Sequence, residues 1–143
     1  MADIGLVFDS GVRTLELSDG AGHSVEVRFN PYDIYFLGAV MNAAEKLDEE
    51  QEKLRQIRTD DWRDVYHAAL EADERMKTII DQIFGVPVCA TLFPDQTVHA
   101  IGGGLPVWAN LLYAIVDKMD VGLGAEKEQA RKRIAKYSAK YKK

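Results

Sequence analysis

An α+β, mainly helical fold is what this 143-residue sequence predicts, and three patterns carry the expectation. Apolar and polar residues alternate through the first thirty positions, the period of a pleated strand. Between Asn30 and Phe84 apolar residues recur at spacings of three and four, the period of one helix face. After Gly104 a short segment is apolar nearly all round, as suits a helix enclosed by a core. The expected architecture is an N-terminal antiparallel β-meander packed on a three-helix core, followed by a basic C-terminal helix.

The strands come first. Ile4, Leu6 and Phe8 alternate, then Leu15 and Leu17, then Val25, Val27 and Phe29. Asp9-Ser10-Gly11 and Ser18-Asp19-Gly20-Ala21-Gly22 separate them with turn residues. This predicts a meander of two or three strands, a sheet too small to stand without a partner layer. Helical sequence begins at Asn30-Pro31-Tyr32-Asp33, which offers a capping side chain, a first-turn proline and an early acid. Ile34, Leu37, Met41, Ala44 and Leu47 then mark one face, and Leu54 and Ile57 anchor a more polar continuation. Thr59-Asp60-Asp61 reads as the cap of a second helix whose buried stripe is Trp62, Val65, Tyr66, Ala69, Met76, Ile79, Ile80 and Ile83. Gly85 and Pro87 terminate it. Two such helices form an antiparallel hairpin.

Helical period is lost over 86–104. Val86 to Leu92 has the length and composition of a strand, and Gly102-Gly103-Gly104 makes a flexible break. Pro106 opens the third helix, carrying Trp108, Leu111, Leu112, Ile115, Val116 and Met119. The expected division is one globular domain over 1–121, with strands in 1–30, a helical hairpin over 31–84 and a core helix over 105–120. Residues 122–143 follow as a basic amphipathic tail, of which 125–143 is expected to be dispensable for folding.

Composition narrows the functional classes. The apolar share of 47% and charged share of 29% are those of a folded domain and argue against disorder. The lone Cys89 forms no internal disulfide, which favours a reducing cytoplasm. Met1 to Gly5 lack the basic-then-apolar pattern of a signal peptide, and no run of about 18 apolar residues is present to span a membrane. The expectation is a soluble, cytoplasmic protein without membrane association. Charge is unevenly spread: residues 1–124 hold 10 Lys and Arg against 21 Asp and Glu, and residues 125–143 hold 8 against 2.

No catalytic template fits. Gly102-Gly103-Gly104 lacks both the dinucleotide-binding spacing and the Gly-Lys-Ser/Thr of a phosphate loop, and reads as a hinge before a helix. His23, His67 and His99 fall in a strand, a helix and a loop, with no spaced metal-ligand pair. Cys89 and His99 would meet only if 86–101 folded back as a hairpin, and a buried inert cysteine is the commoner case. Asp48, Glu49, Glu50 and Glu52 read as a solvated helix face. The C-terminal helix is the suggestive feature. Ala130, Ile134, Tyr137 and Tyr141 form one stripe, with Lys127, Arg131, Lys132, Arg133, Lys136 and Lys140 around it. The candidate partner-binding residues are Arg131, Lys132, Arg133, Lys136, Tyr137, Lys140 and Tyr141. They suit an acidic protein partner, nucleic acid, or the acidic body of a second copy. An acidic body repels phosphate backbones, so a protein partner is favoured.

Several segments resemble tail assembly chaperones of long-tailed phages and prophages of Gram-positive bacteria. These are Val25-Glu26-Val27-Arg28-Phe29-Asn30-Pro31, the helix bearing Glu45-Lys46-Leu47-Asp48, Asp81-Gln82-Ile83-Phe84-Gly85, and Gly103-Gly104-Leu105-Pro106-Val107-Trp108-Ala109-Asn110-Leu111-Leu112. The likeness spans most of 4–120. It implies a non-enzymatic protein in the bacterial host's cytoplasm that needs no cofactor. Its implied partners are the tape measure protein and tail tube subunits, and it would leave before the tail is complete. The rival classes are a structural tail or head-completion component of the virion, and a nucleic-acid-binding regulator using the basic tail.

Overall fold

The computed structural model describes residues 3–119 and 124–139, with the side chains of 124–127 left aside. In chain order the elements are β1 (Arg13–Ser18), β2 (Ser24–Phe29), α1 (Ile34–Arg55), α2 (Trp62–Phe84), α3 (Cys89–Leu92), β3 (Ile101–Gly102), β4 (Leu105–Pro106), α4 (Val107–Lys118) and α5 (Gly124–Ser138). The fold is α+β and mainly helical, with two separate two-stranded antiparallel sheets.

β1 and β2 pair from Arg13 opposite Phe29 to Ser18 opposite Ser24. That register sets Leu15 opposite Val27 and Leu17 opposite Val25, so the alternating apolar residues share one face. Val27 and Phe29 are buried there, while Glu16 and Glu26 face out. Asp19 organises the turn. Its carboxylate accepts from the Ala21 amide at 2.7 Å, the His23 Nδ1 at 2.6 Å and the His23 amide at 3.0 Å. These bonds, the Ala21 amide's foremost, hold its pKa down to about 2. The turn therefore keeps this support above the ordinary carboxylate range and loses it only as pH falls through about 2. The first expected strand is not formed: residues 3–12 have no regular secondary structure, and Ile4, Leu6, Val7 and Phe8 are 82–100% exposed. Alternation alone does not make a strand where no neighbouring edge is paired with it.

α1 begins later than the proline suggests. Asn30 Oδ1 accepts from the Tyr32 amide in a turn, and Asp33 is the cap, accepting from the Tyr35 amide at 2.9 Å. Phe36 on α1 stacks on Phe29 at 4.3 Å, and both meet Phe84 at the end of α2, which joins sheet to hairpin. α2 is capped by Asp61 and ends at Gly85, whose φ of 72° carries its N–H to the Asp81 carbonyl. The acidic run on α1 is only partly a solvated face. Glu50 is buried and receives Arg75 Nε from α2 at 2.8 and 3.0 Å.

The segment expected to be a strand over 86–92 is instead the short helix α3. One carboxylate decides this, because Asp81 Oδ1 accepts from the amides of both Val88 and Cys89 and starts a turn there. Asp73 Oδ1 accepts from the Val98 amide at 2.7 Å, and its Oδ2 meets Lys77, which donates to the Phe93 carbonyl. The three glycines form a built turn: Gly103 and Gly104, both at positive φ, join β3 to β4. The loop then closes over the start of α4. Val107 and Trp108 amides donate to the Ala100 and Val98 carbonyls, and Trp108 Nε1 donates to Gln51 Oε1 at 2.6 Å.

The apolar core joins β2, α1, α2, α3 and α4 around Leu47, Met76, Ile80, Trp108 and Leu112. α5 belongs to it as well, contrary to the expectation of a separable tail. It packs on α1 and α4, with Ala130 and Ile134 fully buried and Tyr137 half-buried against the core. Its stripe is short, but α1 and α4 present an apolar groove that it closes. Ile134→Ala should therefore lower stability by about 2–5 kcal/mol in urea unfolding, the usual cost of a core truncation. A chain ending at Met119 should aggregate or melt without cooperativity. An unchanged melting curve for either would remove α5 from the core.

Candidate functional site

Most of the expected stripe on α2 divides into a buried half and an exposed half. Met76 and Ile80 are buried, whereas Trp62 is 69% and Tyr66 54% exposed, with Val65 also open; outside that stripe Ala72 is buried and Leu70 exposed. The cause is helix length. The Glu50–Arg75 pair levels the two helices; α1 runs five residues past Glu50, but α2 begins thirteen before Arg75. About eight residues of α2, roughly 12 Å at 1.5 Å per residue, overhang the end of α1. His99, donating from Nε2 to the Ala69 carbonyl, marks where cover from the loop stops.

The overhang is ordered by its own contacts. Trp62 and Tyr66 meet edge-on at 6.3 Å, Tyr66 meets the His67 ring at 5.8 Å, and the Arg63 guanidinium lies 5.9 Å from the Trp62 ring centre. Trp, Tyr and Arg are the side chains that carry most energy at protein interfaces, since they bury large areas and still offer polar contacts. Such a face can dock an apolar stripe of another helix. Sequence periodicity identifies these residues as one face but not that the face outruns its cover.

A second feature is a cleft of about 660 Å³ between β1 and α4. Its floor is mostly apolar, with Phe29, Phe93, Val107 and Leu111, and Leu15 to Ser18 of β1 with the turn residue Asp19 form one wall.

The basic residues of α5 are arranged around its docked stripe. Arg131 is held by Asp117 of α4 at 2.6 Å, so its charge fastens the helix to its own body. Lys132, Arg133 and Lys136 are exposed, and Tyr137 packs inward. Lys140 and Tyr141 lie outside the described residues.

Cys89 and His99 are not brought together. The Cys89 thiol is buried and donates to the Lys77 carbonyl at 3.6 Å, while His99 is committed to Ala69. Burial pushes the thiol well above its ordinary pKa, and the neighbouring Asp81 carboxylate adds to the effect. Among the described residues no group of three His, Cys, Asp or Glu is placed to hold a metal ion, and no helix is long and apolar enough to cross a membrane. Comparisons with protein-family models, curated proteins and solved structures found no match to this chain.

The thiol gives a direct check on the packing. Ellman's reagent at pH 8 should leave Cys89 unmodified in the native protein and titrate one thiol in urea. Rapid modification without denaturant would contradict the buried position.

Proposed function

We propose that this chain is a non-enzymatic assembly chaperone of a phage or prophage tail, binding the tape measure protein and, secondarily, tail tube subunits. The observation that carries the reading is the uncovered stripe Trp62, Val65 and Tyr66 on the overhang of α2. A tape measure protein is a long helical chain whose apolar stripes need cover before assembly. A second helix face bearing aromatic anchors is a fitting cover. The sequence segments that resemble tail assembly chaperones support the same reading. The exposed cations Lys132, Arg133 and Lys136 add a surface for the acidic flank of a client.

The test is co-expression with the adjacent long coiled-coil gene and, separately, with the tube gene, followed by purification of soluble complexes. The chain should hold the coiled-coil protein in solution. Trp62→Ala with Tyr66→Ala should abolish that while leaving the melting temperature within a few degrees, because both side chains are exposed. Retention of the client by that variant would move the site elsewhere. Mass spectrometry of finished particles should not find the chain; stoichiometric presence there would make it a virion component.

A further inference from the structure

We infer that Ile4–Phe8 of one copy is a donated β-strand that pairs with the open edge of β1 in a second copy and fills the cleft between β1 and α4. The strand and its acceptor are both on this chain, and among the described residues neither has a strand partner on the edge concerned. Four large apolar side chains in five residues, Ile4, Leu6, Val7 and Phe8, stand 82–100% exposed. In extended conformation Ile4, Leu6 and Phe8 share a face, the alternation that β1 and β2 themselves show. Among the described residues β1 pairs only with β2, so its other edge presents free amide and carbonyl groups.

The cleft meets that edge. Leu15 to Asp19 border it without a gap, although alternate residues of a strand point to opposite faces. A wall made of consecutive residues is a strand seen edge-on. An added strand would lie beside β1 with one face over Phe93, Val107 and Leu111, where an apolar side chain at every second position is required. The donated segment has five residues and β1 has six.

The local chain favours a second copy over folding back. Residues between Phe8 and β1 are fixed in their own arrangement: Asp9 accepts from the Gly11 amide at 2.8 Å and from Arg13 at 3.0 Å through both oxygens. Asn30 donates to the Ser10 carbonyl at 2.9 Å, and Gly11, at φ 81°, is packed so closely on Asn30 that a Cβ there would lie 2.5 Å away. Pairing Ile4–Phe8 with its own β1 would require this lock to open into a hairpin turn. Donation to a neighbour leaves it intact and covers the same apolar surface.

Light scattering after size exclusion should give a mass above the 16.0 kDa monomer, rising with concentration. Leu6→Asp with Phe8→Asp should return the protein to monomer with an unchanged helical circular dichroism signal and melting temperature, since both positions are exposed in the single chain. Disulfide trapping locates the contact. Full-length protein bearing Val7→Cys, mixed under mild oxidation with tagged protein bearing Thr14→Cys, Glu16→Cys or Ser18→Cys, should give a crosslinked heterodimer with at least one of the three. Glu74→Cys on α2 should give none above background. A monomer at all concentrations, or an oligomer that survives the double substitution and crosslinks no better than the Glu74→Cys control, overturns the proposal.

Discussion

One buried hydrogen bond organises the middle of this molecule: Trp108 Nε1 to the side chain of Gln51, whose amide also donates to the His99 carbonyl at 3.2 Å. A tryptophan is the largest side chain the core encloses, and its N–H is lost to water on burial. Leaving it unpaired costs about 1–3 kcal/mol, a sizeable part of an ordinary domain's stability. Gln51 meets it from α1, and the same residue then fixes the loop that precedes α4. Asp73, Lys77 and Asp81 do the same from α2, binding Val98, Phe93, Val88 and Cys89. A loop with little regular structure is thereby held against two helices by polar side chains aimed at its backbone. Fully satisfied networks of this kind specify one arrangement of a core.

That arrangement decides what is left over. With His99 drawn onto Ala69, cover over α2 ends there, and the first turns of the helix carry Trp62 and Tyr66 into solvent. With α4 drawn onto Gln51, a gap remains between it and β1, and the sheet keeps an open edge. The two candidate surfaces are consequences of the same internal ties. They differ in what they suit: the α2 overhang matches another helix, the β1 edge another strand.

Much of this was legible in the sequence. Alternation gave β1 and β2, the three-and-four spacing gave α1, α2 and α4, and Gly85 and Asp61 marked ends that the structure keeps. The failures have a common cause, which is that periodicity reports a face and not what lies opposite it. Trp62 and Ile80 belong to one stripe, yet only Ile80 is covered by the core, while Trp62 is exposed. Ile4 to Phe8 alternate as β1 does, yet among the described residues no strand edge is paired with them. Glu50 sits in an acidic run, yet Arg75 lies across from it. α3 depends on Asp81 reaching Val88 and Cys89, a contact that composition does not announce. Charge reversal made α5 look separate, while Ala130 and Ile134 were enough to seat it.

The two tryptophans allow the central tie to be read in one experiment. Trp108 carries a buried, bonded indole N–H, and Trp62 lies on an exposed helix face. Hydrogen exchange followed by NMR should show two indole signals of very different lifetime. Trp62 should exchange near the rate of a free indole, and Trp108 only through global unfolding, with protection matching the stability from urea titration. Gln51→Leu should shift the Trp108 signal and leave that of Trp62 in place. Fast exchange of both indoles in the native protein would contradict the account.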